Sequence, residues 1–427
     1  MKKIVLFMLL PFFFQTLPVI STEVDLQLTD AQRYQLSQTA VSPKTNLQIP
    51  KNPVLKTSVP VYKDSDLKNP AKTLSPDDSL QIQSIEVNQF GLPVFHLMDQ
   101  TYMLADETLY YQDIVLNQTA MSATYWTRKI DKIYDSPFVI GTKEVTKKPK
   151  DYTQVIVTAV ATTHKGTYYQ LDQYGWVEGH LISIQDTRME KVQELLTQKY
   201  QKADYGISIK QMETGQMAGI NADKSMYAAS LAKLPILYYT QEAINQGKIN
   251  KETTFKYTSK VNDFYGAYDP SGSGSLPKKA NDKEYTVDEL MKKVAQQSDN
   301  VASNMLAYYV TDQFGADFQN QMMAISGTSW DMKKRDVSPE TINKILEALY
   351  HQNGFVLDYL SKTDFDDKRI SKNISDKVSH KIGDAYDYKH DAAIIYTKSP
   401  FIITIMTNKA NYDDITAIAD DIYEILK

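Results

Sequence analysis

The sequence predicts an α+β fold over its C-terminal half, an antiparallel sheet flanked by helices, with small β-barrel modules in front of it. First, this half begins with a helix pattern followed by a hairpin pattern, and it ends with a hairpin pattern followed by a helix pattern. Second, residues 56–184 consist of short alternating runs separated by turn residues, which is typical of small β modules. Third, 427 residues exceed one ordinary hydrophobic core, so several domains are expected.

The C-terminal half begins with a predicted helix, "DTRMEKVQELLTQKYQKA", capped at Asp186. Its apolar residues fall on one helical face; they are Met189, Val192, Leu195, Leu196 and Tyr200. "YGISIKQMETGQMAGINAD" then predicts a hairpin that turns at Gly215. "AAIIYTKSPFIITIMTN" predicts a second hairpin, and "DDITAIADDIYEILK" carries the apolar stripe of a final helix. A sheet closed by both ends of the domain, with helices between them, is an α+β layout.

Composition excludes several classes of function. The net charge of −5 and the pI near 5.8 give no reason to expect a nucleic-acid partner. The absence of cysteine rules out disulfides, thiolate zinc sites and a cysteine nucleophile. The six histidines show no metal-ligand spacing, so no metal and no cofactor is expected.

The N-terminus has the pattern of a secretory signal over residues 1–22. Lys2 and Lys3 precede the apolar run Ile4–Phe14, and Val19 and Ser21 offer a cleavage site. The alternative is an uncleaved membrane anchor. Either interpretation predicts a secreted or cell-surface protein that works outside the cytoplasm. The polar, proline-containing stretch 23–55 is interpreted as a spacer.

Residues 56–120 and 121–184 are predicted to form two related modules. They look like distant copies that align Tyr62 with Tyr134. In the second copy, "GTYYQLDQYGWVEGHLI" resembles the GW-type modules of cell-wall proteins, which are small SH3-like β-barrels; the first copy lacks the Gly-Trp pair. The resemblance implies binding of a cell-wall polymer around Tyr169 and Trp176. The alternative is a spacer whose aromatic residues form its core.

A candidate nucleophile and its base occur in "AASLAKLPIL". Residues three apart share a helix face, so Ser230 and Lys233 can touch. A lysine held neutral by burial can accept the serine proton. The Ser-x-x-Lys pattern alone is weak, because it also occurs at Ser65 and Ser275.

Two further motifs single out Ser230. "QQSDNVASNML" supplies Ser298 and Asn300, and "SHKIGDAY" supplies Lys381 and Gly383. This ordered set resembles that of the class A β-lactamases and penicillin-binding proteins, and the likeness covers residues 186–427. The resemblance implies a serine hydrolase that acts on a β-lactam or on a peptidoglycan-type amide or ester.

The resemblance also implies a catalytic role for each motif residue. Ser230 would attack the substrate carbonyl, with Lys233 as the base of acylation. Ser298 would relay a proton to the leaving nitrogen. Lys381 would attract a substrate carboxylate and hold Lys233 neutral.

Three further positions are implied to bind substrate. Asn300 would bind the amide side chain of the substrate and steady Lys233. Gly383 would let the substrate backbone lie against a strand edge. The backbone N–H of Asp384, together with that of Ser230, would form the oxyanion hole.

Two departures from the family pattern bear on turnover. Ile382 stands where the family has a hydroxyl residue that helps to bind a substrate carboxylate. The stretch from Asn300 to Arg335 is shortened and contains no glutamate that could activate water for deacylation. The sequence therefore favours an acyl-enzyme that forms and is released slowly. The alternatives are a true β-lactamase with another water activator, and a non-catalytic wall-binding protein whose hydrolase domain has decayed.

Overall fold

The structure is a computed structural model that describes residues 28–30, 32–33 and 48–427. The predicted secretory signal and most of the predicted spacer lie outside the described residues. The chain divides into two compact units. The first contains the described part of Met1–Thr119 with Ser136–Lys143 and Ala161–Tyr168, and the second contains Ala120–Asp135, Glu144–Val160 and Tyr169–Lys427. Within the described residues, no helix is both long enough and apolar enough to span a bilayer.

The first unit contains a small antiparallel β module. Its strands are β1 (Pro53–Leu55), β2 (Val59–Tyr62), β3 (Pro70–Leu74), β4 (Ile82–Val87), β5 (Pro93–Leu97), β6 (Tyr102–Leu104) and β7 (Tyr110–Gln112). Five of them form a sheet in the order β3-β2-β6-β5-β4, and β1 pairs with β7. Leu55, Val61, Phe95 and Met103 lie in its buried core.

A seven-stranded sheet follows. Its strands are β8 (Asn117–Thr127), β9 (Ile133–Tyr134), β10 (Glu144–Val145), β11 (Gln154–Thr163), β12 (Gly166–Leu171), β13 (Gly175–Glu178) and β14 (Ile182–Ser183). Their order is β10-β9-β13-β12-β11-β8-β14. Gly175 has a φ of +135°, and a Cβ there would lie 2.5 Å from the Tyr134 backbone oxygen, so the close approach of β13 to β9 requires glycine.

The C-terminal elements alternate irregularly between helices and strands. The helices are α1 (Arg188–Leu195), α2 (Leu234–Asn245), α3 (Val287–Gln297), α4 (Asn300–Tyr309), α5 (Ala316–Ser326), α6 (Pro339–His351), α7 (Val356–Tyr359) and α8 (Tyr412–Leu426). The strands are β15 (Tyr205–Gln211), β16 (Met217–Ile220), β17 (Met226–Tyr227), β18 (Thr254–Lys256), β19 (Glu284–Thr286), β20 (Asp336–Val337), β21 (Val378–Ala385), β22 (Tyr388–Ile395) and β23 (Phe401–Asn408).

A five-stranded antiparallel sheet organises this region, in the order β16-β15-β23-β22-β21. Alternate residues of β23 enter two different cores. Ile403 and Ile405 pack with α1 and α8 on one face, and Ile402 and Met406 pack with the remaining helices on the other. Because both faces are covered, β23 is apolar at successive positions from Phe401 to Ile403. The α+β prediction and both predicted hairpins are confirmed.

The predicted cap of the first helix is wrong in detail. α1 begins at Arg188, and its N-cap residue Thr187 makes no side-chain capping bond. The Asp186 carboxylate, one residue earlier, accepts from the Arg188 backbone N–H at 2.9 Å, pairs with the Arg188 guanidinium and accepts from Gln211 at 2.9 Å. The predicted residue therefore does bond the first helical N–H, but from the position before the N-cap.

Candidate active site

The predicted nucleophile lies in a short turn that leads into α2. Ser230 belongs to the 3₁₀ turn Ala229–Lys233. Ala229 has a φ of +49°, a left-handed conformation that is uncommon for a residue with a side chain. Just before it, the Ala228 N–H donates to the backbone oxygen of Arg335 at 2.8 Å, and β17 pairs with β20. The surrounding fold thus holds the backbone that presents Ser230.

The Lys233 side chain is 0% exposed. Its Nζ donates to the backbone oxygen of Ser298 at 2.5 Å and to Oδ1 of Asn300 at 2.6 Å, and lies 3.3 Å from the Ser298 hydroxyl. Among the described residues, none of its hydrogen bonds goes to Ser230. A neutral amine has two N–H groups and one lone pair, and these two carbonyl oxygens can take both N–H groups. The lone pair is then left for a hydroxyl proton, as a general base requires.

Lys381 approaches the same hydroxyl from β21. Its buried Nζ donates to Ser298 Oγ at 2.8 Å and to the backbone oxygen of Ile382 at 3.1 Å. The Ser298 hydroxyl therefore lies between two lysine amines. This arrangement can carry a proton from one side of the site to the other.

Burial lowers the pKa of both lysines. The pKa of Lys233 lies well below its usual value because of burial and, next, because of the positive charge of Lys381. Burial also lowers the pKa of Lys381 to about 7, although Asp391 acts against this. Two ammonium groups this close do not both stay charged near neutral pH, so Lys233 is the one held neutral.

The junction of α3 and α4 positions Ser298 and Asn300. Ser298 ends α3 with a φ of +55°, and α4 begins two residues later. Asp299, between them, caps α4 by accepting from the Ala302 N–H at 2.9 Å and also accepts from the Leu276 N–H. This abrupt change of direction, fixed by the Asp299 carboxylate, turns both neighbouring side chains toward Lys233.

A serine- and glycine-rich loop completes the site, and the sequence motifs did not assign it a role. Ser273 Oγ donates to the backbone oxygen of Ser298 at 2.7 Å and to Asn300 Oδ1 at 3.2 Å. A Cβ at Gly272 would collide with Asn300, and one at Gly274 with Asp299. The segment "SGSGSL" was the available signal, since paired glycines mark a close approach of backbone to another group.

Gly383 packs against the turn that carries the nucleophile. A Cβ at this position would lie 2.8 Å from the backbone oxygen of Ala228 and 3.1 Å from His390. The close approach of β21 to the nucleophile turn therefore requires glycine even before a substrate binds. The expected contact between Gly383 and a substrate backbone stays a prediction.

A cavity of about 200 Å³ opens beside the nucleophile. Its lining residues come from six separate segments of the domain; they are Ser230, Ser273, Ser298, Phe365, Lys368, Arg369, Ile382, Asp384 and Tyr412. Three predicted site residues, Ser230, Ser298 and Asp384, thus share one cavity with Ile382. The sequence motifs had not indicated Arg369 or Tyr412.

An aromatic ring and a guanidinium group lie beside Lys233. The Tyr268 ring centroid is 4.6 Å from Lys233 Nζ and 3.7 Å from the guanidinium carbon of Arg335. Both side chains are buried. Among the described residues, no carboxylate makes a hydrogen bond to Lys233 or to the Ser298 hydroxyl. The Arg335 guanidinium therefore places a cation on the aromatic ring that contacts Lys233.

The candidate wall-binding residues differ in exposure. Trp176 is only 4% exposed, so its ring is almost entirely covered. Tyr169 is half-buried and lies 5.6 Å from the ring of Tyr125. Of the two predicted residues, only Tyr169 is placed where it could contact a ligand.

Comparisons with known proteins fit this geometry. The sequence matches the family described as the beta-lactamase enzyme family over residues 187–426. No curated protein matches the chain. Similar solved structures include one described as PBP-A (17% identity, TM-score 0.46, covering 56% of this chain and 94% of that one). Another is a beta-lactamase from Sphaerobacter thermophilus DSM 20745 (20% identity, TM-score 0.45, covering 56% of this chain and 95% of that one).

Proposed function

Because this chain belongs to the beta-lactamase enzyme family, we propose that it is an extracytoplasmic serine hydrolase that forms an acyl-enzyme on Ser230 and releases it slowly. Its substrate class is a β-lactam or a peptidoglycan-type amide or ester. One observation carries the proposal: the buried Lys233 and Lys381 amines both reach the Ser298 hydroxyl, at 3.3 and 2.8 Å. Burial of two lysine amines costs solvation free energy, and a catalytic role gives a reason for the site to retain both.

Acylation follows from this arrangement. Ser230 Oγ attacks the substrate carbonyl carbon, and its proton passes to the neutral Nζ of Lys233. The backbone N–H groups of Ser230 and Asp384 bind the oxyanion that develops. Ser298 gives its hydroxyl proton to the leaving nitrogen and regains one from Lys233, so the base is neutral again when the acyl-enzyme has formed.

Release needs a base that activates water, and among the described residues no carboxylate hydrogen-bonds to Lys233 or to the Ser298 hydroxyl, while the Asp384 carboxylate is held by Arg369, Lys389 and Tyr412; this supports slow deacylation. The position beside Lys233 is taken by the Tyr268 ring and the Arg335 guanidinium, and a guanidinium does not accept a proton at ordinary pH. General-base assistance by a placed side chain contributes roughly 10²- to 10⁴-fold to a rate. We therefore expect the covalent adduct to accumulate.

The test is intact-mass analysis of the full-length protein mixed with a fluorescent penicillin. We expect one added mass that Ser230→Ala abolishes, because Ser230 is the serine of the Ser-x-x-Lys motif that lines the active-site cavity. Ser65→Ala is the matched control, since Ser65 has the same Ser-x-x-Lys pattern in the N-terminal module and should remain without effect.

Three other results would contradict the proposal. Labelling that persists in Ser230→Ala would exclude Ser230 as the nucleophile. Rapid release of hydrolysed penicillin without an adduct would show a true β-lactamase with another water activator. Absence of labelling by penicillins and by activated acyl esters would favour the non-catalytic wall-binding protein.

A further inference from the structure

The Asp384 side chain lies in the active-site cavity and has no role in the mechanism above. Its backbone N–H belongs to the proposed oxyanion hole, but its carboxylate lines the cavity together with Ser230 and Ile382. The side chain is 30% exposed, so a bound ligand can approach it. A carboxylate at this position places negative charge close to the reacting carbonyl group.

Three groups hold this carboxylate in place. Arg369 Nη2 donates to Oδ2 at 2.7 Å, Lys389 Nζ donates to Oδ1 at 2.8 Å, and the Tyr412 hydroxyl donates to Oδ2. Although partial burial opposes ionisation, these hydrogen bonds and the Arg369 charge hold the pKa of Asp384 below its usual value. The carboxylate is therefore both charged and fixed.

Arg369 is the group in this cavity best suited to bind an anion, because a guanidinium pairs with a carboxylate through two parallel hydrogen bonds. It is 2% exposed, its guanidinium carbon lies 3.9 Å from the Tyr412 ring centroid, and its Nε is buried without a partner among the described residues. Asp384 already occupies it. A substrate carboxylate would have to displace Asp384 or lie beside it.

The remaining lining does not replace Arg369 as an anion site. Ile382 offers no hydrogen-bond donor from its side chain. Lys381 is bonded to the Ser298 hydroxyl and to the backbone oxygen of Ile382. Lys368 also lines the cavity, but its side chain is half exposed and its charge is well hydrated.

We propose that Asp384 is a specificity-determining residue that directs this site toward acyl donors with no carboxylate beside the scissile bond, such as neutral amides and esters. This inference rests on the proposed acylation of Ser230 and adds the substrate class. Its physical basis is twofold: the Asp384 carboxylate occupies the Arg369 guanidinium that would otherwise pair with a substrate carboxylate, and it adds a like charge to the lining of the same cavity.

The test compares benzylpenicillin, which carries a carboxylate, with its methyl ester, which does not. The full-length protein is acylated with each compound, and the ratio of the two second-order rate constants is obtained from intact mass against time. Asp384→Asn keeps the size of the side chain and removes its charge, so we expect the acid-to-ester ratio to rise about tenfold or more. If the substitution disturbs the oxyanion hole, it slows acylation by both compounds alike, and their ratio does not change for that reason.

The matched control is Asp413→Asn, which removes the same charge from a neighbour of Tyr412. Asp413 pairs with Lys372 at 2.8 Å, but its side chain is 81% exposed and does not line the cavity. We expect its acid-to-ester ratio to equal that of the wild type. A rise equal to that in Asp384→Asn would show a general charge effect and overturn the inference.

Two outcomes separate this inference from the proposed function. If both compounds acylate Ser230 and folded Asp384→Asn leaves their ratio unchanged or lowers it, the inference fails and the proposed function stands. If neither compound acylates Ser230 in either protein, the proposed function fails and the inference falls with it. Should Asp384→Asn not fold, Asp384→Ser is measured instead, and a folded Asp384→Ser whose acid-to-ester ratio equals or falls below that of the wild type would refute the inference.

Discussion

Replacement of Ile382 by threonine should speed acylation by penicillins without speeding deacylation. Ile382 lies on β21, lines the active-site cavity and is nearly buried. Threonine keeps the β-branched shape that suits a strand and adds a hydroxyl donor within the cavity. The added hydroxyl can donate to a substrate carboxylate, whereas nothing in the substitution supplies a base for water.

The size of the effect follows from two terms. A hydrogen bond to a charged group contributes about 1.5–3 kcal/mol, which corresponds to roughly 10- to 100-fold in rate. Because the Asp384 carboxylate opposes an acidic substrate in the same cavity, we expect the lower end, about tenfold. The substitution also removes two buried apolar carbon groups and adds one hydroxyl in their place, so the free energy of unfolding should fall by about 2 kcal/mol.

The assay is a time course of adduct mass and of released hydrolysed penicillin. Ile382→Val is the matched control, because valine has the shape of threonine without its hydroxyl. Equal acceleration in Ile382→Val would attribute the gain to space and not to the hydroxyl. Faster release of product in Ile382→Thr, or rapid turnover of the wild type with no adduct, would refute the reasoning about the missing base.

Three further predictions address the base, the pH dependence and the modules. Lys233→Arg should abolish acylation, because guanidinium does not lose its proton at ordinary pH; a rate comparable to wild type by intact mass would place the base elsewhere. Burial opposes a charged His380, but Asp391 and Asp366 raise its pKa from 6.5 to about 9. The resulting stability should be complete below pH 6.5 and lost as the pH rises through about 9, by at most about 3 kcal/mol. Urea unfolding measures this, and an equal decline in His380→Gln would contradict it. Finally, the full-length protein should sediment with isolated Gram-positive cell walls, and Tyr169→Ala should weaken this; failure to sediment would leave the modules as spacers.

The sequence predicted what depends on local pattern. Periodicity or composition within one short stretch is enough to identify each of the two hairpins, the terminal helix and the three catalytic motifs. Lys233 and Lys381, from two different motifs, then meet at the Ser298 hydroxyl of the third. Their mutual placement depends on the 3₁₀ turn, the α3–α4 junction and β21, which come from distant parts of the sequence.

The features that the sequence did not predict depend on contacts between distant residues. Arg369, Asp384 and Tyr412 meet only because the 3₁₀ turn Arg369–Ser371, β21 and α8 converge at the cavity. Trp176 carried the resemblance to wall-binding modules, yet its burial gives it a packing role that periodicity does not distinguish from ligand binding. Pairing and burial of this kind are tertiary properties.

The left-handed backbone at Ala229 makes the position of Ser230 depend on packing throughout the domain. A residue with a side chain costs roughly 1–3 kcal/mol in this conformation, and here it directly precedes the nucleophile. The strain persists only while the hydrogen bond to the Arg335 backbone oxygen and the close packing of β21 hold the turn in place. A mutation that loosens the sheet far from Ser230 should let the turn relax first. In a urea titration, the loss of acylation should therefore occur at a lower urea concentration than the unfolding of the helices.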